Sequence, residues 1–240
     1  MYEKKPNRKK AVWILSLAAA LAIAVGGIWA ALYWNLLPGR WYSASDFEIE
    51  TVKSSIDYNG NGTDDYTDFL LGAREDAIKK PKYDGAYQPG GYPPDNIGVC
   101  TDVIWRAFRN AGYSLRDMVD SDIAEHAELY GLADGKADSN IDFRRVSNLK
   151  VFFSRYAQSL TLDPAEIAEW QPGDIVIFED RHIGMISDRR TREGRAYLIH
   201  NGGQPNREED ALLRMEITGH YRFDASKIPE SLWKPWKEQN

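Results

Sequence analysis

Cys100 is the residue whose type and position best suit nucleophilic chemistry. It is the chain's single cysteine, which excludes an internal disulfide and leaves two interpretations, a reactive thiol or a small buried hydrophobe. From Thr101 onward, apolar residues recur at helical spacing and stop at Gly112, so the sequence predicts a helix that begins at Cys100. The partial positive charge of a helix N-terminus, together with a nearby imidazolium, lowers a cysteine pKa. We therefore expect Cys100 to be a catalytic nucleophile.

Two histidines on consecutive predicted strands can complete a catalytic group with Cys100. His182 opens the run His-Ile-Gly-Met-Ile-Ser, in which Gly184 leaves space beside an imidazole. His200 ends the next run, Tyr-Leu-Ile-His, where it can hydrogen-bond to the far nitrogen of His182 and hold that ring toward the thiol. Asn201 competes with His200 for this role, and a strand histidine is otherwise commonly a core residue. We expect His182 to be the base and His200 the orienting residue.

A polar loop ahead of the cysteine has the ligand spacing of a calcium-binding loop. Oxygen-bearing side chains fall at positions one, three, five, nine and twelve, Gly62 falls at the sharp turn, and position seven offers its carbonyl. The predicted ligands are Asp57, Asn59, Asn61, Thr63, Asp65 and Asp68. Asp68 stands where such loops usually have Glu, which weakens calcium or favours magnesium. The loop resembles EF-hand and dockerin-type loops, so a structural calcium ion is the expected cofactor; an Asn-Gly turn with accidental spacing is the alternative.

The N-terminus predicts a membrane segment. Five basic residues lie within the first ten, and the run from 11 to 37 carries no charge and is long enough to span a bilayer. A cleaved signal peptide has a shorter apolar core, so a retained anchor is favoured over a signal peptide or a buried core helix. The positive-inside rule places residues 1–10 in the cytoplasm and the remainder outside it. The net charge of −6 argues against a nucleic-acid partner.

The rest of the chain predicts helices first and strands afterwards, which is typical of an α+β domain. The predicted helices cover residues 43–56, 69–77, 101–111, 117–130 and 148–159, and the predicted strands cover Ile175 to Phe178, Ile183 to Ile186, Tyr197 to Ile199 and Leu212 to Ile217. The predicted organisation is a basic cytoplasmic tail (1–10), a transmembrane anchor (11–37), a helix-loop-helix with the calcium loop (38–80), the main domain (81–228) and a tail (229–240).

The order of these motifs resembles that of NlpC-type cell-wall cysteine peptidases, which have a papain-like fold. The resemblance covers residues 95–223 and joins a cysteine at a helix start, a Pro-Gly-Asp strand, a His-Ile-Gly strand and a polar residue on the strand that follows. The matching segments are Gly98 to Asp102, Trp170 to Val176, His182 to Met185 and Ile199 to Asn201. The resemblance implies the roles of nucleophile, base and orienting residue for Cys100, His182 and His200, and a papain-like main domain.

More narrowly, the chain looks like an uncharacterised branch of that superfamily, to which the segments 140–149 and 217–221 also correspond. Thr101 departs from the small residue, often Ser, that follows the cysteine in better-known members. The stretch before Pro172 is also longer than expected. These departures concern substrate specificity more than the catalytic pair.

The resemblance implies hydrolysis of amide bonds in peptidoglycan through an acyl-enzyme, and a membrane anchor is consistent with that substrate. Asp102, Arg144 and Arg145 are candidate substrate contacts. Two alternatives stay open: an inactive, calcium-stabilised wall-binding module, and a cysteine acyltransferase in which an amine resolves the acyl-enzyme. The tail from Trp233 to Trp236 can contact a membrane or a sugar, or pack on the domain.

Overall fold

The computed structural model describes residues 8–33, 36 and 40–237. The chain divides into two compact units, residues 1–39 and 40–240. In the first unit, helix α1 (Arg8–Tyr33) contains the stretch Lys9–Tyr33, which is long and apolar enough to cross a membrane and is not buried inside the protein. Two parts of the predicted membrane segment lie outside the described residues: the basic residues that precede Arg8, and residue 37 at the end of the apolar run.

The second unit has α-helices before, at and after Cys100 in the sequence. Within the described residues they are α2 (Asp65–Lys79), α3 (Cys100–Asn110), α4 (Leu115–His126) and α5 (Val146–Tyr156). The side chain of Asp64 accepts a hydrogen bond from the first turn of α2, and Ser114 does the same for α4. The predicted helices 69–77, 101–111, 117–130 and 148–159 each correspond to one of these helices, with ends displaced by a few residues.

The helix predicted over residues 43–56 is wrong. A short 3-10 turn, Ala44–Phe47, forms there and ends at Glu48, whose φ of 57° is left-handed. The segment that follows is rich in β-branched residues, which lose side-chain freedom in a helix, and it reaches α2 without regular structure. The region before the second helix is therefore an extended segment and a loop.

An antiparallel sheet of six strands forms the other layer. The strands are β3 (Gln158–Ser159), β4 (Ile175–Phe178), β5 (His182–Arg190), β6 (Ala196–Ile199), β7 (Glu208–Glu209) and β8 (Ile217–Arg222). Their spatial order is β3-β8-β4-β5-β6-β7, so β8 lies between two strands that precede it in the chain. Two short parallel strands, β1 (Lys82–Tyr83) and β2 (Ile97–Gly98), bracket the proline- and glycine-rich loop before the cysteine. Helices packed with an antiparallel sheet make the unit α+β, as predicted.

Three of the four predicted strands match β4, β5 and β6, and the fourth is displaced. Leu212 does not begin a strand; it lies in an irregular segment and is fully buried beside Trp170. The strand begins at Ile217, where the chain first pairs with Phe178 of β4. The apolar character of this segment therefore reflects burial against the sheet, and not membership of a strand.

The helix that begins at the cysteine lies deep in the core. Helix α3 packs against α2 and against β5, and most of its residues are buried. Gly72 of α2 permits the close approach, because a Cβ there would lie 2.6 Å from the Cβ of Asn110 and 2.9 Å from the Cα of Ala107. Helix α3 is thus fixed between two elements, and the position of its first residue is fixed with it.

The C-terminal tail packs on the domain, as one of the two interpretations expected. The ring of Trp236 stacks on Trp105 of α3 at a centroid distance of 6.0 Å and meets the edge of Tyr92. The backbone N–H of Trp236 donates to the carbonyl of Gly112 at 2.7 Å, and the N–H of Ser114 donates to the carbonyl of Lys234 at 2.8 Å. The tail therefore extends the core around α3.

Candidate active site

Cys100 is the first residue of α3, and a buried acid holds the start of that helix. The carboxylate of Asp102 accepts hydrogen bonds from the backbone N–H of Val99 at 2.7 Å and from the indole N–H of Trp105 at 2.7 Å. Arg144 donates to both oxygens of the same carboxylate at 2.8 and 2.9 Å. Such a buried, bidentate ion pair fixes geometry, because every lone pair of the acid has a partner.

Two of the three candidate substrate contacts, Asp102 and Arg144, have structural partners. Asp102 is 0% exposed and Arg144 is 6% exposed, and the two side chains are engaged with each other. The backbone carbonyl of Arg144 also accepts the hydroxyl of Thr101 at 3.1 Å. Arg145 is partly exposed and lies 3.7 Å from Asp142. Asp102 and Arg144 thus hold the start of α3, whereas Arg145 pairs with Asp142.

A side-chain hydrogen bond links the segment that precedes Cys100 to the segment that follows β6. The side-chain amide of Asn201 donates to the carbonyl of Gly98 at 3.0 Å, which links the end of β6 to the turn that precedes Cys100. A Cβ on Gly98 would lie 2.8 Å from the guanidinium of Arg106, so a glycine is required for this approach. Asn201 is thus a structural link and does not touch His182.

His182 and His200 are in direct contact. Nε2 of His182 lies 2.8 Å from Nδ1 of His200, and the two rings are nearly perpendicular. The pairing of Met185 with Ile199 places His200 opposite Gly184, where a Cβ would lie 3.1 Å from the Cβ of His200. The structure therefore brings together the predicted base and the predicted orienting residue, and the glycine between them leaves the space that the sequence indicated.

The thiol of Cys100 lies near β5, the strand that carries His182. The backbone N–H groups of Ile183, Thr101 and Cys100 itself point toward the sulfur and favour the thiolate. Burial of the thiol acts in the opposite direction and is the larger effect, so the pKa of Cys100 is raised above its ordinary value. The expected net lowering by the helix N-terminus is therefore outweighed by desolvation.

The imidazole of His182 is neutral in this setting. Burial, and to a smaller extent the electrostatic influence of His200, lowers the pKa of His182 to about 3. Its Nε2 faces His200, which leaves Nδ1 as the ring nitrogen that His200 does not engage. A neutral thiol and a neutral imidazole are the forms from which general-base activation of a nucleophile begins.

Two further residues extend the histidine pair, and neither could be identified from the sequence alone. Glu209 Oε1 lies 3.2 Å from Nε2 of His200, and the side-chain nitrogen of Gln204 lies 3.0 Å from the same atom. Both residues follow β6 in a segment without periodicity, so neither helical nor strand spacing could identify them. Glu209 is 0% exposed, and its second oxygen accepts from Arg214 at 3.0 Å.

The other two histidines have packing partners. His220 stacks on Trp170 with a centroid distance of 3.8 Å and lies 3.1 Å from Asp174. His126 lies 3.0 Å from Asp122, four residues earlier on α4. Both therefore have partners other than the His182–His200 pair.

The predicted calcium loop brings together some of its ligands. The amides of Asn59 and Asn61 donate to Asp68 at 2.8 and 3.0 Å, and the carboxylate of Asp57 accepts the backbone N–H groups of Asn61 and Gly62. Each amide would rotate half a turn to present its oxygen to a cation instead.

Two observations limit the fit of the loop to an ion. Asp65, at position nine, accepts from the hydroxyl of Tyr113 at 2.6 Å and from the backbone N–H of Tyr58, so it is engaged away from the other ligands. Within residues 8–33, 36 and 40–237, no group of three or more His, Cys, Asp or Glu side chains is close enough to hold a metal ion. The donor set therefore consists mainly of amides, two acids and the carbonyl of Thr63.

Comparison with known proteins identifies relatives without an established activity. A domain family described as "Domain of unknown function (DUF1287)" matches residues 70–223. The chain is 38% identical over 164 residues to "Uncharacterized protein YijF" of Escherichia coli (strain K12), an alignment that covers 63% of this chain and 78% of the relative. No solved structure matches the chain. The matched region contains α3, the histidine pair and Glu209, and the chain therefore belongs to the DUF1287 family.

Proposed function

We propose that the domain is a papain-like cysteine amidohydrolase in which Cys100 is the nucleophile, His182 the base and His200 the residue that orients the base. The observation that carries the proposal is the contact of 2.8 Å between Nε2 of His182 and Nδ1 of His200, in a domain whose single cysteine begins a helix. A histidine held by a second polar group next to a nucleophile is the arrangement on which acyl-transfer chemistry depends. The NlpC-type motif order supports the same assignment.

The proposed reaction has two halves. The sulfur of Cys100 attacks the carbonyl carbon of an amide, its proton passes to His182, and the imidazolium then donates that proton to the leaving amine as the C–N bond breaks. Water next gives a proton to His182 and attacks the thioester, which releases the acid and restores the thiol. The first backbone N–H groups of α3 have no partner within the helix and are candidate donors to the oxyanion.

The proposed substrate is an amide bond of peptidoglycan. Helix α1 is apolar enough to hold the domain at a membrane, and the basic residues before it favour a cytoplasmic N-terminus with the domain outside. A tethered domain on that side would meet the cell wall. A calcium ion held by Asp57, Asn59, Asn61, the carbonyl of Thr63 and Asp68 is proposed as a structural cofactor with no part in the thiol chemistry.

One observation favours a second candidate, an inactive wall-binding module. Cys100 is only 6% exposed, and burial keeps its thiol protonated, which is the usual condition of an inert cysteine. A binding module would retain the fold and the affinity for the wall without turnover. A substrate that enters the site would have to displace the groups that cover the sulfur.

The test is digestion of purified peptidoglycan by the detergent-solubilised full chain, beside the Cys100→Ala and His182→Ala variants. We expect the unmutated chain alone to release fragments with new amine and carboxyl ends, identified by mass spectrometry. Fragments made equally by the Cys100→Ala variant would contradict the thiol mechanism. Pull-down of the wall by all three proteins without any new ends would instead support the binding module.

A further inference from the structure

The atom Nε2 of His200 has two neighbours of opposite chemistry. The side-chain nitrogen of Gln204, at 3.0 Å, can only donate a hydrogen bond, whereas a carboxylate oxygen of Glu209, at 3.2 Å, can only accept one. The identity of the partner therefore decides whether Nε2 of His200 carries a hydrogen. A neutral imidazole has one N–H, so the choice at Nε2 also fixes the state of Nδ1.

That choice passes to His182 through the contact between the rings. If Nε2 of His200 donates to Glu209, its Nδ1 accepts from Nε2–H of His182, and Nδ1 of His182 keeps a lone pair for the thiol proton. If Nε2 of His200 instead accepts from Gln204, its Nδ1–H donates to His182, and Nδ1 of His182 already carries a hydrogen. Only the first arrangement leaves His182 able to act as a base through Nδ1.

The surroundings of Gln204 and Glu209 favour the first arrangement. Gln204 has other partners, since its oxygen accepts from the N–H of Gly202 at 2.7 Å and from Arg207 at 3.1 Å, and its nitrogen donates to the carbonyl of His200 at 3.2 Å. Glu209 is 0% exposed, and the ion pair with Arg214 favours its carboxylate form. A hydrogen bond to a buried carboxylate is roughly twice as strong as one between neutral groups.

We propose that Glu209 is a positioning residue that holds both histidines in their Nε2–H form and so keeps Nδ1 of His182 free to accept the proton of Cys100. Strand β7 supplies the rigidity, because Leu198 and Glu209 are paired across β6 and β7. The inference rests on the proposed thiol mechanism for its consequence. The hydrogen positions that it assigns are a property of the resting protein and can be measured without a substrate.

The test uses the imidazole nitrogens as reporters. The chain has four histidines, so long-range proton–nitrogen NMR spectra of protein labelled with 15N-histidine can be assigned with single His variants. We expect His182 and His200 to show the Nε2–H pattern. In the Glu209→Gln variant, Arg214 should attract the amide oxygen and turn the NH2 group toward His200, so both rings should switch together to Nδ1–H.

Two control variants separate this role from general damage. Glu208→Gln removes a charge from the same strand, but Glu208 contacts Arg74 and Ser187 and does not contact the histidines, so both rings should keep Nε2–H. Gln204→Leu removes the competing donor and should also leave Nε2–H in place. Thermal unfolding of each variant shows whether it is folded.

The outcomes are distinct. A Glu209→Gln variant that is folded and keeps Nε2–H would overturn the inference, and so would a Gln204→Leu variant that loses it. With peptidoglycan as substrate, Glu209→Gln should lower kcat by about 10²-fold with little change in KM, because proton transfer contributes at least that factor. A switch in the NMR spectra without any turnover by the unmutated chain would leave the positioning role intact and reject the amidohydrolase.

Discussion

Burial and backbone hydrogen bonding act on the thiol of Cys100 in opposite directions, and burial prevails. Three backbone N–H groups favour the thiolate, but removal of the sulfur from water favours the thiol, and the pKa rises. His182, with a pKa lowered to about 3, is neutral throughout the physiological range. The resting site therefore contains a thiol and an imidazole, not a thiolate and an imidazolium.

A pH profile of alkylation follows from these shifts. We expect iodoacetamide to modify Cys100 more slowly at neutral pH than it modifies glutathione, and the rate to continue rising at alkaline pH, because a raised pKa delays formation of the thiolate. Mass spectrometry of the intact chain measures the rate directly, since the chain has one cysteine. The chain unfolded in urea is the control, and there the profile should become that of an ordinary thiol. A rate that is already maximal at neutral pH would instead indicate a preformed thiolate–imidazolium pair.

Residue types and order were enough to predict that His182 and His200 lie in contact, but not which residues support the site. The sequence could not show that Asp102 and Arg144 pair with each other, because 42 residues separate them and only the fold brings them together. It favoured His200 over Asn201 as the orienting residue, but it could not show that these adjacent side chains have different partners. Their roles separate only when the register of β5 and β6 is known.

At the scale of elements, the close contact of α2 with α3 controls where the cysteine lies. We expect Gly72→Ala to lower the free energy of unfolding by about 1–3 kcal/mol, because the added Cβ would meet Asn110 and Ala107 of the facing helix. Urea denaturation followed by circular dichroism measures the change. Leu71→Ala, an exposed neighbour on α2, should cost less than about 0.5 kcal/mol. Equal costs for the two variants would contradict the packing argument.

The loop before α2 yields a metal-removal experiment. If Asp57, Asn59, Asn61 and Asp68 bind calcium, unfolding measured at a calcium concentration of 100 times Kd should require about 2.7 kcal/mol more than unfolding in EDTA. Asp57→Asn should abolish the difference, whereas Asp95→Asn, which removes an exposed charge outside the loop, should not. Identical unfolding curves with calcium, magnesium and EDTA would reject the ion and leave the hydrogen-bonded turn as the full description of the loop.

The periodicity of apolar residues predicted the helices well, because each helix buries one apolar face. It failed for segments that are buried but belong to neither a helix nor a strand. The apolar residues after Ser43 do not form the expected helix, because β-branched residues follow the left-handed Glu48. Leu212 is buried by a loop and is not part of a strand. An apolar residue indicates burial reliably, but the element that buries it depends on neighbours that are distant in sequence.

At the scale of the whole molecule, the orientation of the chain in a membrane can be measured. We expect a membrane-impermeant maleimide to label Leu213→Cys, an exposed position, on intact spheroplasts in a Cys100→Ala background, because the positive-inside rule places the domain outside. Pro6→Cys in the same background is the matched control and should react only after permeabilisation. The reverse pattern would place the domain in the cytoplasm and remove peptidoglycan as its substrate.

The position of β8 between β3 and β4 determines the order in which the strands of the sheet can pair during folding. Strands β4, β5 and β6 can pair as soon as they have been made, but residues 158–159 and 175–178 acquire their shared neighbour only when residues 217–222 arrive. Such pairing across a long sequence separation is slow, because loop closure must precede the contacts that compensate for it. We therefore expect insertion of β8 to be a late step in folding. Until then, the edge of β4 stays open to other chains, so a chaperone that covers such edges would protect the nascent domain.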